Sequence, residues 1–278
     1  MRIKHHYCLK SRYRLIKFLD KFQIKYELDE EYKTYIFELY EDQDIFLKFR
    51  VQFPFLSRFG SWKTIEYSRE DIENAEWLAI RSKSINVQWE YDEKAFHCLC
   101  PYKRLFIKEA YYRHLEQVDI LSVAKQVKWG TRQFFSGPNT ADNIIFCSER
   151  TKKILEKRWG GLEFWPVKYH KTSKYIKDLY QIVFIEYLPI EAFSGGILTR
   201  CSSCGRQIMR IIKGTHQLVI NRKYLQNKKM VYQTGQVLTR KRIGFETFSL
   251  NIVPKEFYEY CERYGMNRGM VYEPIKLK

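Results

Sequence analysis

Four cysteines have the type and spacing to hold a metal. Cys201 and Cys204 lie in the segment TRCSSCG, where a Cys-x-x-Cys-Gly knuckle puts two sulfurs on one side of a tight turn. Gly205 takes the positive φ that closes it. Such a pair supplies half of a tetrahedral thiolate site. Cys98 and Cys100, in FHCLCP, offer the other half. Cys98, Cys100, Cys201 and Cys204 are therefore a candidate structural zinc site, which would be closed to substrate and stitch two segments together, with weak or incomplete metal content expected. Ordinary buried or free thiols are the competing reading of the same residues.

The charge around the second pair is one-sided. The chain has 278 residues and a formal net charge of +17. No acidic residue falls between Glu191 and Glu246, whereas Arg200, Arg206, Arg210, Lys213, Arg222, Lys223, Lys228, Lys229, Arg240, Lys241 and Arg242 all do. A basic stretch without interspersed carboxylates lacks its usual neutralising pairs. It points to an anionic partner, either an acidic protein surface or nucleic acid, against the plainer reading of a solvated basic face.

Catalytic candidates are sparse. Cys147, in the apolar run IIFCSER, predicts an inert buried thiol with no base nearby in sequence. Cys261, beside Tyr260, falls on a helix face and reads as core. Ser194-Gly195-Gly196 and Gly130-Thr131 are too short to cradle a phosphate. His5 and His6 are adjacent, and His97, His114, His170 and His216 lack metal-ligand spacing among themselves. The expectation is a binding protein, not an enzyme.

The composition supplies enough material to position such residues. Of the chain, 45% is hydrophobic and 17% aromatic, and 13 Gly and 7 Pro are spread without a linker-like tract. The predicted fold is α+β: an N-terminal α/β unit over 1–95, a Cys-led module over 96–190 and a second over 191–278. In the first unit, apolar spacing predicts a helix over 11–22. Aromatic and β-branched runs predict strands over 32–40 and 45–53, joined by a turn at 41–44. Ser68 and Asp71 resemble a capping box opening a helix that runs on through Ile80, and 85–91 reads as a strand. Lys, Arg and His interrupt every apolar run near the N-terminus, so neither a signal segment nor a membrane helix is expected there. An odd count of seven Cys fits a reducing, cytoplasmic setting.

From His97 onward the chain appears twice over. Each copy runs from a Cys pair through a strand, a short helix, a polar loop, a strand and a helix to a Gly turn and a closing strand. Leu105–Lys108 of the first copy is matched with Leu218–Asn221 of the second. Further on, Phe146 aligns with Ile252, Ser148 with Pro254 and Leu155 with Cys261. After a two-residue insertion, Gly161 meets Gly269, Phe164 meets Tyr272, and Pro166-Val167 meets Pro274-Ile275. Ser148 and Pro254 suit a helix start, and the two glycines suit the turn after it. Trp159, Phe164, Trp165 and Tyr272 are expected in the core or at an interface.

On these residues the stretch 96–277 resembles the double-CXXCG motif proteins, which include immunity proteins of bacterial contact-dependent toxin systems. The resemblance implies a cytoplasmic protein that occludes an acidic toxin partner, with zinc-knuckle binding of nucleic acid as the alternative. The chain departs from the family pattern at its first pair, Cys98-Leu99-Cys100, which is one residue shorter than Cys-x-x-Cys.

Overall fold

In a computed structural model of the chain the described residues are 1–10, 12–56, 61–83, 96–98, 115–117, 120–123, 128–136, 144–194, 196–200, 207–211, 219–234, 237–242, 244–248 and 250–278. Backbone alone is described at 61–63, 96–98, 115–117, 196–200, 207–211, 237–242 and 244–248. Two units separate at Asp71/Ile72.

The first unit alternates β1 (Arg2–Lys10), α1 (Tyr13–Lys21), β2 (Tyr26–Asp29), β3 (Thr34–Tyr40), α2 (Asp44–Gln52) and β4 (Ser61–Glu66). The sheet order is β2-β3-β1-β4, and every neighbouring pair is antiparallel. Strands β1 and β2 are thus parallel with β3 between them, the split βαβ arrangement of ferredoxin-like folds. The apolar stripe of α1 buries Leu15, Phe18 and Leu19 against Tyr7, Leu9, Phe37 and Leu39 of the sheet, joined by Phe46 and Phe49 of α2.

Residues 45–53, expected as a strand, are mostly helix α2. Phe46 and Phe49 are buried while Leu47 is 58% and Val51 82% exposed, a helical period that strand alternation cannot produce. The residues expected to turn a hairpin instead lead into that helix, with Asp44 in its first turn, where the helix dipole favours an acid.

Helix α3 (Arg69–Asn74) has the expected start. Ser68 Oγ accepts from the Asp71 N–H at 3.1 Å and the Asp71 carboxylate accepts from the Ser68 N–H at 2.8 Å. The helix stops short of the apolar residues assigned to it, because Trp77–Ser82 forms strand β5. Its run Trp77–Ile80 is buried at every position, as a central strand covered on both faces must be.

The second unit continues through β6 (Phe96–Cys98), β7 (Leu115–Gln117), β8 (Ser122–Val123), β9 (Phe134–Phe135), β10 (Ile145–Cys147), α4 (Glu149–Leu155), β11 (Leu162–Tyr169) and β12 (Tyr175–Phe184). Short strands follow: β13 (Tyr187–Leu188), β14 (Phe193–Ser194), β15 (Gly196–Arg200), β16 (Gln207–Ile211), β17 (Val219–Ile220) and β18 (Tyr232–Thr234). The chain closes with β19 (Val237–Arg242), β20 (Gly244–Phe248), β21 (Asn251–Pro254), α5 (Lys255–Arg263), β22 (Met270–Pro274) and β23 (Lys276–Leu277).

Two of its sheets are built alike. One runs β8-β11-β12-β10-β9 and the other β13-β18-β21-β5-β22. In the first, β12 lies antiparallel between β10 and β11, with Ile182 opposite both Ile145 and Phe164. In the second, β5 lies antiparallel between β21 and β22, with Ile80 opposite both Asn251 and Tyr272. Phe135 of β9 pairs with Phe146 as Tyr232 of β18 pairs with Ile252, but β9 is an edge strand whereas β13 continues the second sheet beyond β18. On the far side of the first sheet β8 runs parallel to β11, Lys168 facing Ser122; the parallel pair of β17 with β23, Lys276 facing Val219, belongs to a separate three-stranded sheet, β14-β17-β23. Ser148 and Pro254 are the N-caps of α4 and α5. The inserted strand differs in origin: β12 follows its βαβ segment in the chain, whereas β5 precedes its own.

The matching parts share one core. Leu155, Ile182, Ile80, Phe257 and Cys261 belong to it together with Trp159 and Tyr272. Trp159 meets Phe257 at 5.3 Å between ring centroids, and Tyr260 donates to the Ile154 carbonyl at 3.4 Å. Phe164 packs partly buried against this cluster, while Trp165 bonds the Glu163 carboxylate at the surface.

The regions that carry the cysteine pairs are not alike in their described strands. Cys98 ends β6, which pairs with β7 alone, whereas β15 and β16 flank residues 201–206 within the sheet β15-β16-β19-β20. The expected match of 105–108 with 218–221 falls on residues that, at 105–108 and 218, lie outside the described ones. Among the described residues no helix is long and apolar enough to cross a membrane.

Candidate functional site

The expected zinc is corrected. A tetrahedral site needs four donors converging on one ion, and among the described residues no group of three or more His, Cys, Asp or Glu is placed to hold a metal. Cys98 belongs to a different sheet from the strands that flank Cys201 and Cys204. The side chain of Cys98 and all of Cys100, Cys201 and Cys204 lie outside what is described.

The described free cysteines are Cys8, Cys147 and Cys261. Complete burial in the shared core pushes the Cys147 thiol far up, and burial pushes that of Cys261 up to about 12, so neither supplies thiolate near neutral pH. Ser148, beside Cys147, has its hydroxyl engaged as the cap of α4, accepting from the Thr151 N–H at 3.3 Å. With a thiol reagent on the folded chain at pH 8, Cys8 is expected to label rapidly. Cys147 and Cys261 should label only on unfolding, as read by peptide mass mapping. Fast modification of Cys147 in the folded protein would contradict the packing.

The eleven basic residues of the acid-free stretch divide into three groups. Arg222, Lys223, Lys228 and Lys229 are exposed along a short turn and the loop after it. Arg200, Arg210, Arg240, Lys241 and Arg242 sit on β15, β16 and β19. Arg206 and Lys213 lie outside the described residues. The stretch has no acid of its own, but the fold brings acids to it. Arg222 makes a two-pronged pair with Glu76 at 2.7 and 2.8 Å, and that hydrogen-bonded guanidinium holds the Glu76 carboxyl below its usual range. Lys228 reaches Glu256 at 3.1 Å, and Arg240 stands opposite Glu246 in the sheet register. Lys223 lies over the Tyr224 ring at 4.8 Å.

A second basic surface, missed in the sequence, lies on the first unit. Arg12, Arg14, Lys17 and Lys21, on and just before α1, line a groove of about 810 Å³ completed by Phe53 and Phe55 at the end of α2. Tyr13 and Phe55 are 70% and 67% exposed, and Lys17 lies over the Tyr13 ring at 4.5 Å. Among the described residues no carboxylate lines this groove. The open face of the same unit's sheet is the opposite case. There Lys4 pairs with Glu38 at 3.0 Å and with Glu66 at 2.5 Å, His6 contacts Glu38 at 2.8 Å, and Arg2 pairs with Asp42 at 2.7 Å. Hydrogen bonding to Glu66 raises the Lys4 ammonium pKa. The signal for the groove was present in the sequence: Arg14, Lys17 and Lys21 recur at three- and four-residue spacing, opposite the apolar stripe of the same helix.

No protein-family model, curated protein or solved structure matches this chain.

Proposed function

We propose that the protein is a cytoplasmic, non-enzymatic binding protein whose second unit engages an acidic protein partner, in the manner of an immunity protein that occludes a toxin. The observation that carries this reading is the exposed cationic loop of Arg222, Lys223, Lys228 and Lys229. Arg222 already presents its planar fork to a carboxylate, the geometry it would offer to a partner's Asp or Glu. Exposed ion pairs add little to stability, so the partner's carboxylates can displace Glu76 and Glu256 at small cost. The like-built sheets also support the two-module resemblance, with Ser148, Gly161 and Phe164 of one matching Pro254, Gly269 and Tyr272 of the other.

Nucleic acid is the competing partner for the same residues, favoured by the consecutive Arg240, Lys241 and Arg242 on β19, next to the strand that bears Arg210. The test is capture of the neighbouring gene's product at near-physiological salt. Lys223→Glu, Lys228→Glu and Lys229→Glu together are expected to weaken that binding by about 10- to 100-fold. An unchanged affinity would remove the loop from the interface. Binding of mixed-sequence nucleic acid through this loop, with no protein captured, would put the second reading in place of the first.

A further inference from the structure

We infer that the groove on the first unit binds single-stranded nucleic acid, its cations gripping the phosphodiester backbone and its exposed rings stacking on bases. This does not rest on the reading of the second unit.

Arg12, Arg14, Lys17 and Lys21 have no ion-pair partner among the described residues, although the neighbouring sheet face pairs its own cations with carboxylates. Unpaired like charges at this spacing disfavour a helix unless an anion covers them. From Arg14 to Lys21 the row extends about 10 Å along the helix, too long for one phosphate group to span and suited to successive phosphates of a strand.

The rings choose among polyanions. Tyr13 and Phe55 stand exposed at the groove, and flat aromatic platforms beside a cationic track are the means by which proteins hold single strands without reading their sequence. An acidic peptide needs the cations but not the rings. A membrane surface would use both, together with an apolar helix face to insert. In α1 that face is already spent, because Leu15, Phe18 and Leu19 are buried in the unit's own core. Duplex nucleic acid keeps its bases stacked internally and offers the rings no partner.

The experiment uses the full chain and a fluorescent mixed-sequence single-stranded DNA, read by anisotropy over a salt series. The exposed changes Arg14→Glu, Lys17→Glu and Lys21→Glu, made together, are expected to weaken binding at least 100-fold. They should also flatten the dependence of log K on log salt by about 2, given a slope near 0.7 per single-strand phosphate contact. Tyr13→Ala with Phe55→Ala should cost about 10- to 100-fold with the salt slope unchanged. Circular dichroism of each variant checks that the unit is still folded. Three results would overturn the inference. One is wild-type affinity in the charge-reversed chain. Another is loss only when Lys223, Lys228 and Lys229 are reversed, which would move the contact to the second unit. The third is tighter binding to phosphatidylserine vesicles than to the DNA with the same dependence on the groove residues, which would make the surface a membrane contact.

Discussion

Gly269→Ala is expected to destabilise the second unit by about 3 kcal/mol or more, and Gly161→Ala to do the same. Both glycines have left-handed backbones, with φ of +100° and +79°. A β-carbon on Gly269 would run into the carbonyl oxygen of Phe134, at the start of β9, and one on Gly161 would sit 2.5 Å from the carbonyl oxygen of Val231, just before β18. Strand β9 pairs with β10 and β18 with β21 in the two sheets, so each sheet's turn glycine abuts a strand of the other. Hydrogen bonds follow the same exchange: the Val231 N–H donates to the Gly160 carbonyl at 3.2 Å, and the Gln133 N–H to the Arg268 carbonyl at 3.3 Å. Gly265 is the control, with φ +65° but nothing within 4 Å of an added β-carbon. Gly265→Ala should cost only about 1 kcal/mol, the conformational part alone. Urea titration of the three variants separates clash from conformation, and equal losses at all three would refute the reciprocal packing.

The second large effect is expected of Phe49→Ala, at about 3–5 kcal/mol. Phe49 is fully buried, with its ring 4.9 Å from Tyr7, 5.5 Å from Phe37, 5.7 Å from Phe18 and 5.2 Å from Phe53. Truncation opens a cavity among four rings and forfeits their edge and tilted contacts. Phe18 and Phe53 also line the basic groove, so the loss should reach function, with weaker single-strand binding even where the variant is still folded. Chemical denaturation with the first unit's near-ultraviolet signal as the probe reads the stability change. A loss below about 1 kcal/mol would mean that this cluster is not the unit's core.

Much of the architecture was legible wherever one local signal dominated. The helix α1 with Leu15 and Leu19 on its apolar face, the Ser68–Asp71 cap and the β-branched and aromatic run of β3 were each readable from spacing, although Phe18, not Ile16, completes the buried stripe of α1. The errors came where β-favouring residues sat at helical spacing, or the reverse. In α2 the run IFLKFRVQF looks like a strand residue by residue, yet the burial of Phe46 and Phe49 with exposed Leu47 and Val51 follows a turn of helix. In β5 the continuous run from Trp77 to Ile80 fits a buried helix or a buried strand equally well from sequence. Long-range pairing with β21 and β22 decides it, and no local pattern reports that. For the site, the acid-free stretch was visible, but Glu76, Glu256 and Glu246 reach it only through the fold. The groove is only half local: Arg14, Lys17 and Lys21 recur along α1, but Phe53 and Phe55 come to them only through the fold.

The central claim is that this protein works by binding anionic partners through cations, on two separable surfaces. The most direct measurement is a cross of two charge-reversed chains, one altered at Arg14, Lys17 and Lys21 and one at Lys223, Lys228 and Lys229, against two ligands, the single-stranded DNA and the neighbouring gene's product. The account predicts that the groove variant loses the DNA and keeps the protein, and that the loop variant keeps the DNA and loses the protein. Loss of both ligands from a single variant, or of neither from either, would contradict it.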